Sequence, residues 1–273
     1  MRRPELFCSR PRPKESTAVR FPIKILANDG RAMLNLACGT IMHWGWNNLD
    51  FSPYALLARK PRLARALKKA GLLSAQRQER LNRIDPAIIR WDLRKGIPFE
   101  QNSFNVVYHS HFLEHIDPQH APGLLKECYR VLKPGGILRV VVPDLELLAR
   151  EYLLAVEAVD ADRPAATKLH HQAIANLFDQ MVRREATGAR EQTASVRWIE
   201  RKIRGGSADT GELHRWMYDR HSLGQLLTQT GFRTLQRQSA STSMVHGWTE
   251  FQLDTNPDGS VCKSESLFME AVK

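Results

Sequence analysis

The feature that most constrains the fold is an apolar run, Met33-Leu34-Asn35-Leu36, ending in the small-residue turn Ala37-Cys38-Gly39-Thr40, with a second short run closing on Asp50 soon after. In a parallel α/β sheet this arrangement sets a tight backbone turn beside a carboxylate at the carboxyl edge of the strands. Open sheets of that kind bind ligands there, where strand order reverses. A carboxylate at the tip of the second strand can accept two hydrogen bonds from a ribose diol. The connection from Thr40 to Gly45 is too short for a helix of three turns.

A dinucleotide site wants G-x-G-x-x-G opening a helix, so that the pyrophosphate rests on the helix N-terminus. The turn Ala37-Cys38-Gly39-Thr40-Ile41-Met42 holds one glycine, and no G-x-x-x-x-G-K-[ST] occurs in the chain. A cofactor with ribose and adenine but no phosphate fits this turn better, and S-adenosylmethionine is the expected one.

Further along, strands are predicted at 32–37, 46–50, 88–91, 104–109 and 137–142, then from Phe232 and over 267–272. Helices are predicted over 54–73, 118–132 and 221–230. Pro53 begins the first helix and Gly71 stands near its end. Pro134-Gly135-Gly136 is expected to break the second helix before the strand from Ile137. The continuous apolar character of 104–109 and 137–142 implies strands covered on both faces. Residues 144–211 are helical in pattern and much longer than an ordinary connection, as expected of a lid or substrate cap.

Residues 1–25 carry prolines and charges without periodicity and read as a basic, poorly ordered arm ahead of a single domain over 26–273. The net charge of +11 is clustered in the arm, in 59–83 (Arg59, Lys60, Arg62, Arg65, Lys68 and Lys69 among others) and in 183–204. Such fields attract anions, including nucleic acid and acidic glycans, although an arginine-rich set of solvated helix faces gives the same count. Cys8, Cys38, Cys128 and Cys262 show no C-x-x-C spacing, so neither a disulfide framework nor a zinc site is read, and no metal site is expected. No apolar run is long enough to span a bilayer, and a cytoplasmic location is expected.

The strings LNLACGT, GWNNLDFSP, RWDLRKGIPFEQNSFNVVYHSHFLEHI, LLKECYRVLKPGGILRVVVPDLE and HRWMYDRHSLGQLLTQTGF, in this order and spacing, resemble the class I S-adenosylmethionine-dependent methyltransferases of the type-11-like group. The chain also resembles a bacterial branch with a short first connection and a Gly-Trp ahead of the acidic strand end. The resemblance covers roughly 32–150 and 212–238. It implies an α/β, Rossmann-like, seven-stranded, mostly parallel sheet flanked by helices, with a helical insertion after the fifth strand. It also implies that Leu36, Ala37, Cys38 and Gly39 lie under the methionine part of S-adenosylmethionine, and that Asp50 holds the ribose. Asp92 and Leu93 would flank the adenine, and His109, Ser110 and His111 the transferring methyl. Ala37 departs from the family, which usually has glycine there, and its methyl should crowd the turn.

Methyl transfer from a sulfonium is an in-line displacement that the protein serves mainly by alignment. A hydroxyl acceptor would be helped by a base, for which His111 and then His109 are the candidates, with Asp144, His214 and Tyr218 behind them. The expected acceptor is an anionic small molecule or saccharide. RNA methylation is the alternative, as is a methyltransferase fold that serves only as a nucleic-acid-binding or assembly module; a nicotinamide oxidoreductase is disfavoured by the missing glycines. Plainer roles stand beside these. Asp50 could cap the helix near Pro53, Asp92 could stabilise the loop of Arg90, Arg94 and Lys95, Glu114 and His115 could anchor a helix start, and Trp44 and Trp46 could pack.

Overall fold

The computed structural model describes residues 21–26, 29–51, 53–70, 75–181 and 213–273. Residues 1–20 of the predicted arm, residues 182–211 of the predicted lid and the third basic cluster lie outside them.

Seven strands form one sheet: β1 (Met33–Leu36), β2 (Asn47–Asp50), β3 (Ile89–Arg90), β4 (Phe104–Ser110), β5 (Leu132–Pro143), β6 (Arg233–Gln238) and β7 (Ser266–Val272). Their order is β3-β2-β1-β4-β5-β7-β6. The five strands from β3 to β5 run parallel, and β7 runs antiparallel to both of its neighbours. Strand order therefore reverses between β1 and β4, which puts the carboxyl ends of β1, β2 and β4 around one crevice. This is the mostly parallel α/β sheet expected from the sequence.

The helices are α1 (Pro53–Ala58), α2 (Pro61–Lys69), α3 (Ala75–Asn82), α4 (Ala121–Val131), α5 (Leu145–Asp160), α6 (Ala166–Met181) and α7 (Arg220–Gln229). The single helix expected over 54–73 is thus two. Pro61 keeps Lys60 out of the helical region, at φ −127° and ψ 67°, and then serves as the first residue of α2. The break expected at Pro134-Gly135-Gly136 is also displaced. α4 ends at Val131 and Leu132 already pairs with Phe104; the ladder then slips and resumes at Ile137 opposite Val106. Gly136 is required in that slip, because a Cβ there would lie 2.9 Å from the Lys133 carbonyl oxygen and 3.1 Å from that of Asn105. α5 starts on Asp144, whose carboxylate accepts from the backbone N–H groups of Glu146 and Leu147, and α6 packs back against it.

Two cores cover the two faces of the sheet. On one, Leu34, Leu36, Val107, Leu138 and Val140 pack against Leu124, Leu125 and Cys128 of α4 and Leu223 and Leu227 of α7. On the other, Met33, Val106, Tyr108 and Val141 pack against Trp46, Ala240, Val245, Trp248, Phe251 and Leu253. The short β1–β2 connection supplies no helix to this second face. An aromatic loop between β6 and β7 covers it instead, with Trp46, Trp248 and Phe251 in edge-to-face contact. Trp46 is a packing residue as expected, whereas Trp44 is 77% exposed and is not.

Arg139 of β5 fixes that loop. Its fully buried guanidinium pairs with Asp254 at 2.7 Å and Glu270 at 2.8 Å, and donates to the carbonyls of Ser239 and Thr242. Tyr108 donates to the other Asp254 oxygen at 2.6 Å. Burial raises the Asp254 carboxyl, against the opposing pull of Arg139. Replacing Arg139 with methionine strips two buried carboxylates of their counter-charge and should cost about 3–5 kcal/mol in urea unfolding. A loss below about 1 kcal/mol would contradict this account of the loop.

Candidate active site

At the end of β1 the chain turns through Ala37 and Gly39, both with positive φ (50° and 54°). The Cys38 N–H donates to the Leu49 carbonyl at 3.0 Å, and the Gly39 N–H donates to Oδ2 of Asp50 at 2.8 Å. The turn is therefore clasped to the end of β2 by one backbone and one carboxylate bond. Two buried asparagines hold the short connection beneath it. Asn35 donates to the Ile41 carbonyl and to Oδ1 of Asn48, and Asn48 donates to the carbonyls of His43 and Trp46. Burial, and then the Asp50 charge, pushes the Cys38 thiol well up, so it stays protonated and is not a nucleophile.

The crowding expected from Ala37 takes the form of backbone strain: an alanine in the left-handed region costs roughly 1–2 kcal/mol. Glycine pays no such cost but gains entropy in the unfolded chain. Ala37→Gly should leave the Tm unchanged or raise it, with a net gain of up to about 1 kcal/mol. A clear fall in Tm would show that the methyl packs rather than strains.

Beyond β3, Asp92 begins the short 3-10 turn Leu93–Lys95. Its Oδ1 accepts from the Arg94 backbone N–H at 3.1 Å, and the Arg94 guanidinium reaches both carboxylate oxygens. That clamp holds the Asp92 carboxyl below its usual range. The plainer role for Asp92 is thus in place, and any ligand at this carboxylate shares it with Arg94. The Trp91 N–H donates to the Asp50 carbonyl, which ties this turn to the end of β2.

The end of β4 brings three predicted residues together but aims them differently. His109 lies between Leu36 of β1 and Val140 of β5, on the α4 face of the sheet and beside Phe112. It is fully buried with no hydrogen bond on either ring nitrogen, and burial pushes its pKa down to about 4. The expectation that His109 could act as a base is corrected: its ring is fully buried in the core. Ser110 points to the opposite face and lines a small cleft with Ile41, Val141, Asp254 and Lys263. His111 leaves the strand with φ 49°, its N–H on the Val141 carbonyl, and its Nε2 meets Oγ of Ser266 at 2.8 Å. Burial lowers the His111 pKa and the Glu114 carboxylate, 3.3 Å from Nδ1, works against that fall.

The remaining candidates differ in their engagement. Asp144 caps α5 and pairs with Arg237 at 3.1 Å. The Tyr218 hydroxyl is buried without a hydrogen-bond partner, and burial, then the Glu114 charge, takes its pKa up to about 12, so it stays a phenol. Glu114, His115 and His214 gather in one cluster. The sequence suggests an anchoring role for the first two. His214 joins them from far along the chain, a proximity that no local spacing signals.

Residues 48–140 match the family model described as a methyltransferase domain. A methyltransferase of Archaeoglobus fulgidus that depends on S-adenosylmethionine is similar at 12% identity, with 88% of this chain and 85% of that one covered and a TM-score of 0.35. One from Mesorhizobium loti shows 15% identity over 93% of this chain and 94% of that one, with a TM-score of 0.40. The 1,6-didemethyltoxoflavin-N1-methyltransferase of Burkholderia thailandensis shows 13% identity over 88% and 70%, with a TM-score of 0.38. Likeness at this level adds nothing to what the strand order already gives. No curated protein matches the chain. Residues 48–140 thus carry the match to a methyltransferase domain, in a sheet whose strand order reverses between β1 and β4, and S-adenosylmethionine is the cofactor that such a domain uses.

Proposed function

We propose that the chain methylates an anionic small-molecule or saccharide acceptor, with the cofactor held in the crevice between β1, β2 and β4. The observation that carries this reading is the clasp of Asp50 on the Gly39 N–H, at the point where strand order reverses. It gives the crevice a carboxylate and a turn with no array of glycines for a phosphate. A carboxylate has about four acceptor sites, of which the Gly39 N–H takes one. In this reading the backbone of Leu36, Ala37, Cys38 and Gly39 lies under the methionine moiety. Asp92 and Leu93 border the adenine, and Ser110 and His111 border the reacting edge.

The cofactor supplies an electrophilic methyl on a sulfonium. What the chain itself supplies is alignment and, for a hydroxyl acceptor, a place for its proton. His111 is the proposed base. Its Nε2, now against Ser266, is the atom that would take the proton. Charge supports an anionic acceptor: α2 contains no acidic residue and exposes Arg62, Arg65, Lys68 and Lys69. RNA is the second anion that this basic helix favours.

Calorimetric titration of the purified protein should give heat with S-adenosylmethionine and S-adenosylhomocysteine and none with NAD. A folded sample silent to the first two, but binding RNA in a salt-sensitive way, would replace the enzyme by a binding module. Asp50→Ala should weaken S-adenosylhomocysteine by about 1.5–3 kcal/mol with the circular dichroism spectrum unchanged. An unaltered dissociation constant would leave Asp50 as a clasp for the turn and nothing more. His111→Ala should lower turnover of a hydroxyl acceptor by about 100-fold or more while cofactor affinity stays as it was.

A further inference from the structure

Three side chains left unused by methyl transfer converge just beyond β4. Glu114 and His115 lie on the 3-10 turn Leu113–His115. His214 comes from the segment that returns toward α7, which is pinned to the same turn by the N–H groups of Arg215 and Trp216 on the Glu114 carbonyl, at 2.7 and 3.2 Å. One carboxylate oxygen of Glu114 and one ring nitrogen from each histidine all lie within 4.8 Å of one another.

The protonation of the two rings is fixed by what they touch. Nδ1 of His115 lies 3.0 Å from the Leu213 carbonyl oxygen, and Nδ1 of His214 lies 2.5 Å from that of Gln180. A carbonyl only accepts, so each Nδ1 carries a proton, and in the neutral ring Nε2 is the nitrogen able to ligate an ion. Histidines that bind metals are held in this way, with one N–H on a carbonyl and the other nitrogen toward the ion. Glu114 adds the second observation. Its side chain is 0% exposed, and neither carboxylate oxygen has a hydrogen-bond partner. His111 Nδ1 at 3.3 Å and His115 Nε2 at 3.9 Å are near Oε1 without completing a hydrogen bond to it. A cation held between the two Nε2 atoms and this carboxylate would compensate its buried charge.

We propose that Glu114, His115 and His214 bind one divalent transition-metal ion of the zinc or manganese kind, leaving coordination positions open. Two imidazoles and one carboxylate form a donor set suited to such ions. Metal–ligand bonds of about 2.0–2.1 Å place tetrahedral ligands roughly 3.3 Å apart, so the three side chains close by about 1 Å or somewhat more when the ion enters. The cluster stands at the carboxyl ends of β4 and β5, where the Asp144–Tyr218 bridge joins the returning segment to the sheet. An ion there would orient an oxygen of the methyl acceptor. That role rests on the methyltransferase reading, whereas binding of the ion does not.

The test uses untagged full-length protein stripped with a chelator and titrated with zinc and manganese by calorimetry. Cobalt(II) is added separately and followed by its visible absorption bands. The same samples are titrated with S-adenosylhomocysteine. The expected result is one ion per chain and cobalt bands distinct from those of the free ion. His214→Ala and Glu114→Gln should each weaken binding by about 100-fold or more, while His170→Ala, on α6, changes nothing. If Glu114→Gln does not fold, His214→Ala decides alone. Absence of metal binding by folded wild-type protein, or undiminished binding by folded His214→Ala, overturns the proposal. If S-adenosylhomocysteine still binds in that case, the metal site falls and the methyltransferase reading stands.

Discussion

One hydrogen bond organises the site: the Gly39 N–H on the Asp50 carboxylate, 2.8 Å long, closes the end of β1 onto the end of β2. The turn it holds is strained, since Ala37 occupies the left-handed region. A strained turn persists only where the surroundings over-determine it. Here the surroundings are the Cys38–Leu49 backbone bond above and the Asn35–Asn48 pair below. The asparagines do what a helix does in a longer connection: they satisfy the carbonyls of Ile41, His43 and Trp46 and so keep the link compact.

The short connection has a second consequence on the far face of the sheet. With no helix there, the aromatic loop between β6 and β7 closes the core, and Arg139 pins it through Asp254 and Glu270. That same segment leads into β7, which starts at Ser266, the partner of His111. The edge proposed for methyl transfer is therefore built from two segments far apart in the chain, with the end of β4 supplying His111 and β7 supplying the hydroxyl that meets it.

Much of this was legible in the sequence because it is local. The runs at 33–36, 104–109 and 137–142 are continuous and apolar, as strands covered on both faces must be, and all lie in the sheet. Pro61 lies inside an amphipathic stretch, where it divides one helical pattern into α1 and α2. α3, with the sequence AQRQERLN, offers too few apolar residues for periodicity to reveal it. The slip at Gly135-Gly136 was misplaced because a Pro-Gly-Gly string marks a turn without saying on which side the strand begins. The turn and Asp50 stand out in pattern alone, and the structure joins them by the Gly39–Asp50 hydrogen bond. Strand parity is what misled on His109: it is a neighbour of His111 in sequence, yet its ring points into the core. The meeting of His115 with His214 depends on tertiary packing and leaves no spacing to read.

The central claim is that the Asp50 clasp frames a nucleoside site without a phosphate. A crystal structure of the protein grown with S-adenosylhomocysteine tests it most directly. The account predicts both ribose hydroxyls within hydrogen-bonding distance of the Asp50 carboxylate, with the homocysteine chain over the Ala37–Gly39 turn. Density for the nucleoside elsewhere on the molecule, with Asp50 facing only the turn, would contradict it.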